Sequence, residues 1–377
     1  EHNEKGELVQ KFGTRGEGSG QVEQPKRLTI ANGEVWVPDA GNDRIDVFNE
    51  KGEYVTKFGS YGTEPEEMID PTGVAVDAHG RVWIADDEND RVDKWRISVL
   101  RPTFSSAFGS AGTGNGEFDE PTGIGVSPIN GNVVVSDEKN NRVEVFNEKG
   151  EFVRTFGSEG TGSGQFKEPR GVAVDSKGNI WVTDTGNDRV EEFSEKGEYL
   201  AQLGSAGTGN GQFSSPKGLA VDSKGNIWVA DSGNARVEEF NEKREYVRQF
   251  SAGTNPIGVA VDSKGNVWTD NEDETGAIEE HNEKGELVQK FGTRGEGSGQ
   301  VLEPKRLAVD SAGDIWVPDG GNNRVEVFNE RGDFLRTFGS YGSGSEEMDY
   351  PTGVAVDHGG HIWIADDGNN RVDEWIR

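Results

Sequence analysis

The chain has no cysteine, only five histidines, far fewer basic than acidic residues and no long apolar run. Without cysteine there are no disulfides, no thiolate nucleophile and no cysteine-based zinc site, although the compartment stays open. No stretch approaches the roughly 18 apolar residues that would span a bilayer, and the opening EHNEKGELVQ has neither the basic nor the apolar region of a signal peptide. Membrane insertion is not expected. Lys and Arg number 39 against 69 Asp and Glu, a formal charge of −30, so the surface repels phosphate backbones and nucleic acid is not an expected partner. Hydrophobic residues make up 31%, little for one large core but enough for many small sheets whose rims face water.

What the chain does contain is repetition. PRGVAVDSKGNIWVTDTGNDRVEEF from Pro169 returns as PKGLAVDSKGNIWVADSGNARVEEF from Pro216, and related units begin at Pro25, Pro71, Pro121, Pro256, Pro304 and Pro351. A period of roughly 40–50 residues belongs to propellers and solenoids, in which each unit buries its faces against its neighbours. In the unit from Pro169, GVAVD reads as a slim inner strand and SKGN as a turn. IWV reads as a second strand, RVEEF after TDTGND as a third, and the segment from Glu198 as a fourth. Four short antiparallel strands with polar turns make a propeller blade, and the Gly-rich GSAGTGNGQFSSP crosses to the next.

The chain opens on a lone fourth strand, residues 1–13, and stops after a third strand. The strand segments then come to four for each of eight blades, with residues 1–13 completing the last. The expectation is therefore an all-β, eight-bladed propeller of four-stranded antiparallel blades over 1–377. The alternative is a six-bladed ring plus two extra blades, because residues 1–22 recur unchanged as 280–301 and the likeness runs on to the carboxyl end. Opening within a repeat also suggests a mature fragment or a piece of a longer array.

The pattern GSxGxGxGQFxxPxGVAVD, then WVxDxGNxRVxxF, resembles the NHL repeat across practically the whole chain. The resemblance implies a β-propeller around a central channel, usually six-bladed and mostly used for binding; some relatives are metal-dependent lyases or lactone hydrolases, and others are secreted or surface proteins. Two copies depart from the pattern: the third has Val134 in place of Trp, and the sixth has Ala277 and Ile278 where others read N-x-R-V.

The most repeated polar pair is an Asp closing the second strand and an Arg five positions on: Asp39 and Arg44, Asp86 and Arg91, Asp137 and Arg142, Asp184 and Arg189, Asp231 and Arg236, Asp319 and Arg324, Asp366 and Arg371. Seven equivalents favour a turn brace over catalysis, with Asp accepting backbone N–H groups and Arg offering a planar fork to a neighbouring loop. Asp270, Glu272 and Asp273 cluster in the irregular sixth copy and mark a candidate contact region. Their carboxylates admit calcium, but no cofactor is required, and no EF-hand loop is present. The histidines His2, His79, His281, His358 and His361 assemble neither a zinc triad nor a Ser-His-Asp set. Trp36, Trp83, Trp181, Trp228, Trp268, Trp316 and Trp363 read as packing between blades rather than sugar platforms.

These features give a non-catalytic module, secreted or at the cell surface, binding a protein or glycan through the face that carries the fourth-to-first and second-to-third strand connections. Two alternatives accompany it: a metal-dependent lyase or hydrolase with a site at the channel, and a subunit of a strand-exchanged polymer of neighbouring copies.

Overall fold

In the computed structural model the described residues are all except 1–10, 32–33, 50–51, 53, 65–66, 77–80, 97–101, 272–276, 358 and 377. The chain forms two compact units, Glu1–Leu100 and Arg101–Arg377, rather than one body over 1–377. No described helix is long and apolar enough to cross a membrane.

The first unit holds a four-stranded sheet, Thr29–Ala31, Glu34–Asp39, Arg44–Asn49 and Tyr54–Phe58, and a three-stranded one, Pro71–Val76, Arg81–Asp86 and Arg91–Arg96. Trp36, Ile45, Val47, Met68, Val82 and Ile84 form its core.

The second unit contains six four-stranded sheets. In the clearest, Pro169–Val174, Ile180–Asp184, Arg189–Phe193 and Tyr199–Leu203 pair antiparallel in chain order. The second and third strands are buried throughout while the fourth is largely exposed, so each sheet grades from a packed interior to a wet rim. Trp181 packs against Leu219, Ile227, Val229 and Phe240 of the following sheet, which is why the second-strand tryptophan is buried. Trp228, Trp268, Trp316 and Trp363 are likewise at most 2% exposed, whereas Trp83 of the first unit is 40% exposed.

The expected eight-bladed closure by residues 1–13 is overturned. Residues 1–10 lie outside the described set, and the fourth-strand place beside Pro351–Val356, His361–Asp366 and Arg371–Ile376 is filled by Thr103–Phe108. Thr103 pairs with Ile376 and Phe108 with Val372. Phe104 meets the Trp375 ring edge-on at 5.8 Å, and Ser106 donates to Glu374 at 2.7 Å. Among the described residues no single sheet closes on itself; in the second unit six separate four-stranded sheets stand around a common axis. The physical reason is adjacency in the chain, since Thr103–Phe108 directly precedes the sheet beginning at Pro121. It thereby joins the last blade of the ring to the first.

The inner strands touch in turn around the axis. A Cβ built on Gly123, Gly171, Gly218 or Gly353 would lie 2.0–2.6 Å from a carbonyl oxygen of the next inner strand, and one on Gly258 would lie 2.7 Å from the Arg306 Cα. Only glycine allows backbones this close. Gly171→Ala is expected to cost about 1–3 kcal/mol by overpacking and to lower the thermal midpoint by several degrees, whereas alanine at Gly73, whose Cβ would come no nearer than 3.9 Å to a neighbour, lacks this clash. Equal effects of the two substitutions in a melting experiment would show that the inner layer is not so tightly packed.

Candidate functional site at the channel mouth

The seven repeated pairs are ion pairs, with N–O distances from 2.7 to 3.2 Å. Asp184 shows the geometry. It accepts from the Lys167 backbone N–H at 2.7 Å, from Asn187 at 2.8 Å and from Arg189 Nε at 2.7 Å. Arg189 then donates to the carbonyls of Thr161, Gly162 and Gln165, tying the Gly-rich crossing to the sheet. A second acid, Glu191, lies 3.0 Å from the same guanidinium, and burial pushes its carboxyl up to about 7. Sequence reasoning missed this partner, although its position two residues after each Arg was legible.

Asp270 is fully buried, and its oxygens accept from the N–H groups of Gly258 at 2.7 Å and Leu307 at 2.8 Å. It bolts two adjacent sheets together; burial raises its carboxyl to about 6. Glu272 and Asp273 lie outside the described residues. His281 is buried against Phe250 at 4.7 Å, and burial lowers its pKa. His2, His79 and His358 are not among the described residues.

The chemistry gathers elsewhere. The six inner strands line a channel cavity of about 270 Å³, and a polar cavity of about 220 Å³ lies at their proline ends, with Arg306 lining both. This mouth is built from the residue after each landmark proline, namely Thr122, Arg170, Lys217, Ile257, Lys305 and Thr352, together with Glu120, Glu138, Lys139, Arg306, Tyr350 and Asp367. It therefore lies on the face carrying the fourth-to-first and second-to-third connections.

Five cations and three acids line the mouth of a chain that carries −30 overall. Arg170 donates to Glu138 at 2.8 Å, and Lys139 lies 3.5 Å from Glu138 and 3.2 Å from Glu120. Tyr350 donates to Glu303 at 2.8 Å beneath the Lys305 ammonium, 4.9 Å from its ring centre. Asp367 stands where two other blades carry a hydroxyl: Thr185 and Ser232 donate to the carbonyls of Pro216 and Pro256. An ionised carboxylate cannot donate in that way. Burial, with Glu120 and Glu138 nearby, pushes Asp367 up to about 7, while Arg306 opposes the shift.

The fit of a divalent cation can be judged from these donors. Among the described residues no three His, Asp or Glu side chains group so as to hold a metal, and Glu120 and Glu138 already face ammonium and guanidinium groups. The mouth does not suit such an ion. The site was missed in the sequence because it draws one variable residue from each of several constant repeats; the variation after each proline was the available signal.

Comparison with curated protein sequences gives no match. In fold, the chain is similar to a Bacteroides thetaiotaomicron protein of unknown function, at 16% identity over 94% of this chain and 99% of that one, with a TM-score of 0.60. A gluconolactonase from Xanthomonas campestris is 16% identical over 73% and 97%, with a TM-score of 0.56. A catalytically inactive virginiamycin B lyase from Staphylococcus aureus, solved with quinupristin, is 15% identical over 94% of both chains, with a TM-score of 0.51. These likenesses establish the fold, and that fold holds enzymes. Uniform repeats are thus no argument against catalysis, and the reading of the chain as a non-catalytic module, not an enzyme, is corrected. The NHL repeat matches residues 118–146, 166–193, 213–240 and 348–372, and a six-bladed β-propeller domain family, DUF5128, matches 14–96. The chain thus carries NHL-repeat motifs and a segment that matches a six-bladed β-propeller domain family.

Proposed function

We propose that the second unit is a lyase or hydrolase whose site is the channel mouth, acting by acid–base chemistry beside a carbonyl group of an anionic substrate. The observation that carries this reading is Asp367, a carboxyl held near 7 in a cavity whose cations outnumber its acids. The enzymes of the same fold, a lactonase and a lyase, support the reaction class.

Asp367 in its ionised form takes a proton. In an elimination the proton comes from the carbon next to the carbonyl, the electron pair forms the new double bond, and the leaving group departs with a proton from solvent. In hydrolysis it comes from the water that adds to the carbonyl, and passes to the departing alcohol oxygen. Both routes build negative charge on the carbonyl oxygen, which Lys217 of the same mouth would stabilise. Lys139 and Arg170, drawn toward Glu120 and Glu138, keep the rim ordered. Cofactors are not part of the proposal, and calcium would have to bind elsewhere. A protein- or glycan-linked substrate would reach the mouth across the same connections.

Asp367→Asn is expected to lower kcat/KM by about 10²–10⁴-fold on whichever lactone, ester or cyclic depsipeptide is turned over. The wild-type kcat/KM should rise with pH through about 7, as the base ionises. A panel of these substrates without turnover, or an asparagine variant as active as the wild type, would overturn the assignment.

A further inference from the structure

Five of the six inner strands have glycine two positions after the landmark proline, and the sixth has Arg306. It lines both the channel cavity and the mouth, so it stands at the boundary between the two. Its hydrogen bonds run from one terminal nitrogen to the carbonyls of Thr352 at 3.2 Å and Thr122 at 3.5 Å, both long, and its buried Nε has no partner among the described residues. The acids whose charge favours it are Glu138 first, then Asp270 of the preceding sheet and Asp367; Glu138 is already taken by Arg170 and Lys139, and Asp270 is committed to two backbone N–H groups. A neighbouring guanidinium, Arg170, has its own unpartnered buried Nε. Burying a guanidinium that no carboxylate among the described residues pairs directly is costly, and its planar fork is best relieved by an oxyanion.

We propose that Arg306, with Arg170 beside it, forms a binding site for a substrate carboxylate that enters the channel from the mouth, leaving the reacting carbonyl at Asp367. A monoanion suits the site better than a phosphate dianion, because Glu120, Glu138 and Asp367 stand close by and repel added negative charge. Arg306 is thus a specificity determinant: it orients the substrate along the axis, and its replacement should raise KM more than it lowers kcat. The substrate assignment rests on the enzyme reading above, whereas the anion site rests on Arg306 itself.

The test uses the full chain, with sodium acetate and inorganic phosphate as probes at constant ionic strength balanced by sodium chloride. Acetate at about 100 mM is expected to raise the thermal midpoint by about 2 °C or more through preferential binding to the folded state, and phosphate to raise it less. Arg306→Gly, which restores the residue of the other five strands, and Arg306→Gln should each lose most of the acetate response. A response equal in wild type and both variants would assign it to general ion effects and overturn the site, as would no response in the wild type. A larger effect of phosphate would overturn the carboxylate assignment. If acetate binding needs Arg306 while Asp367→Asn keeps full activity, the acid–base reading falls and the anion site stands; loss of activity in Asp367→Asn without acetate binding gives the converse.

Discussion

Removing residues 103–108 will cost the ring most of its stability. A chain of residues 102–377 is expected to keep the main cooperative transition of the full chain within about 3 °C, while one of residues 110–377 should melt on the order of 10 °C lower or aggregate. The shorter chain loses the strand paired with Arg371–Ile376 and leaves that edge of backbone N–H and C=O groups unpaired. It also strips the ring contacts that Phe104 makes to Trp375 and Phe108 to Phe146 and Trp363, at centroid separations from 4.5 to 6.1 Å. Differential scanning calorimetry of the two truncations settles the matter. Equal midpoints would mean that Thr103–Phe108 does not close the ring.

Mild acid will stabilise the protein. Glu144, Glu191, Glu238 and Glu326 are buried beside brace arginines, and burial pushes each carboxyl from 4.5 up to about 7. Because the folded values are raised, between pH 4.5 and 7 the folded chain binds more protons than the unfolded one. Their contribution is complete below about 4.5 and is lost as pH rises through about 7. A shift of this size corresponds to at most about 3 kcal/mol per group, and a third of that in each of four sites gives about 4 kcal/mol. The midpoint is then expected to rise by on the order of 10 °C between pH 8 and pH 5. Glu191→Gln should raise the midpoint at pH 8 and flatten the pH dependence, since the amide carries no charge to desolvate. A midpoint that stays level or falls from pH 8 to pH 5 would contradict the raised values.

Local chemistry was legible residue by residue. The turn residues of TDTGND, the strand RVEEF and the Asp–Arg spacing announce a blade, because short-range hydrogen bonding and side-chain alternation suffice to define it. Asp184 and Arg189 meet as their spacing suggested, but Glu191 joins them only because alternate residues of one strand share a face. Asp367 and Arg306 were invisible for another reason. They lie 61 positions apart in the sequence, in different blades, and their shared cavity exists only once the ring is shut.

The near-copies Trp83 and Trp363 show where sequence stops. They occupy matching places in RVWIADD and HIWIADD, yet one is 40% exposed and the other 1%. Trp363 is covered by Phe108 of its own sheet, by Phe146 of the next sheet and by Phe118 of the crossing that leads into it. Sequence by itself determined the blade, its turns and its braces, since these depend on contacts within a repeat. Tertiary structure alone decided that six sheets close on Thr103–Phe108, which acids become buried and which residues face one another at the mouth. Those outcomes depend on contacts between repeats, and nearly identical repeats offer several equivalent partners until one closure excludes the rest.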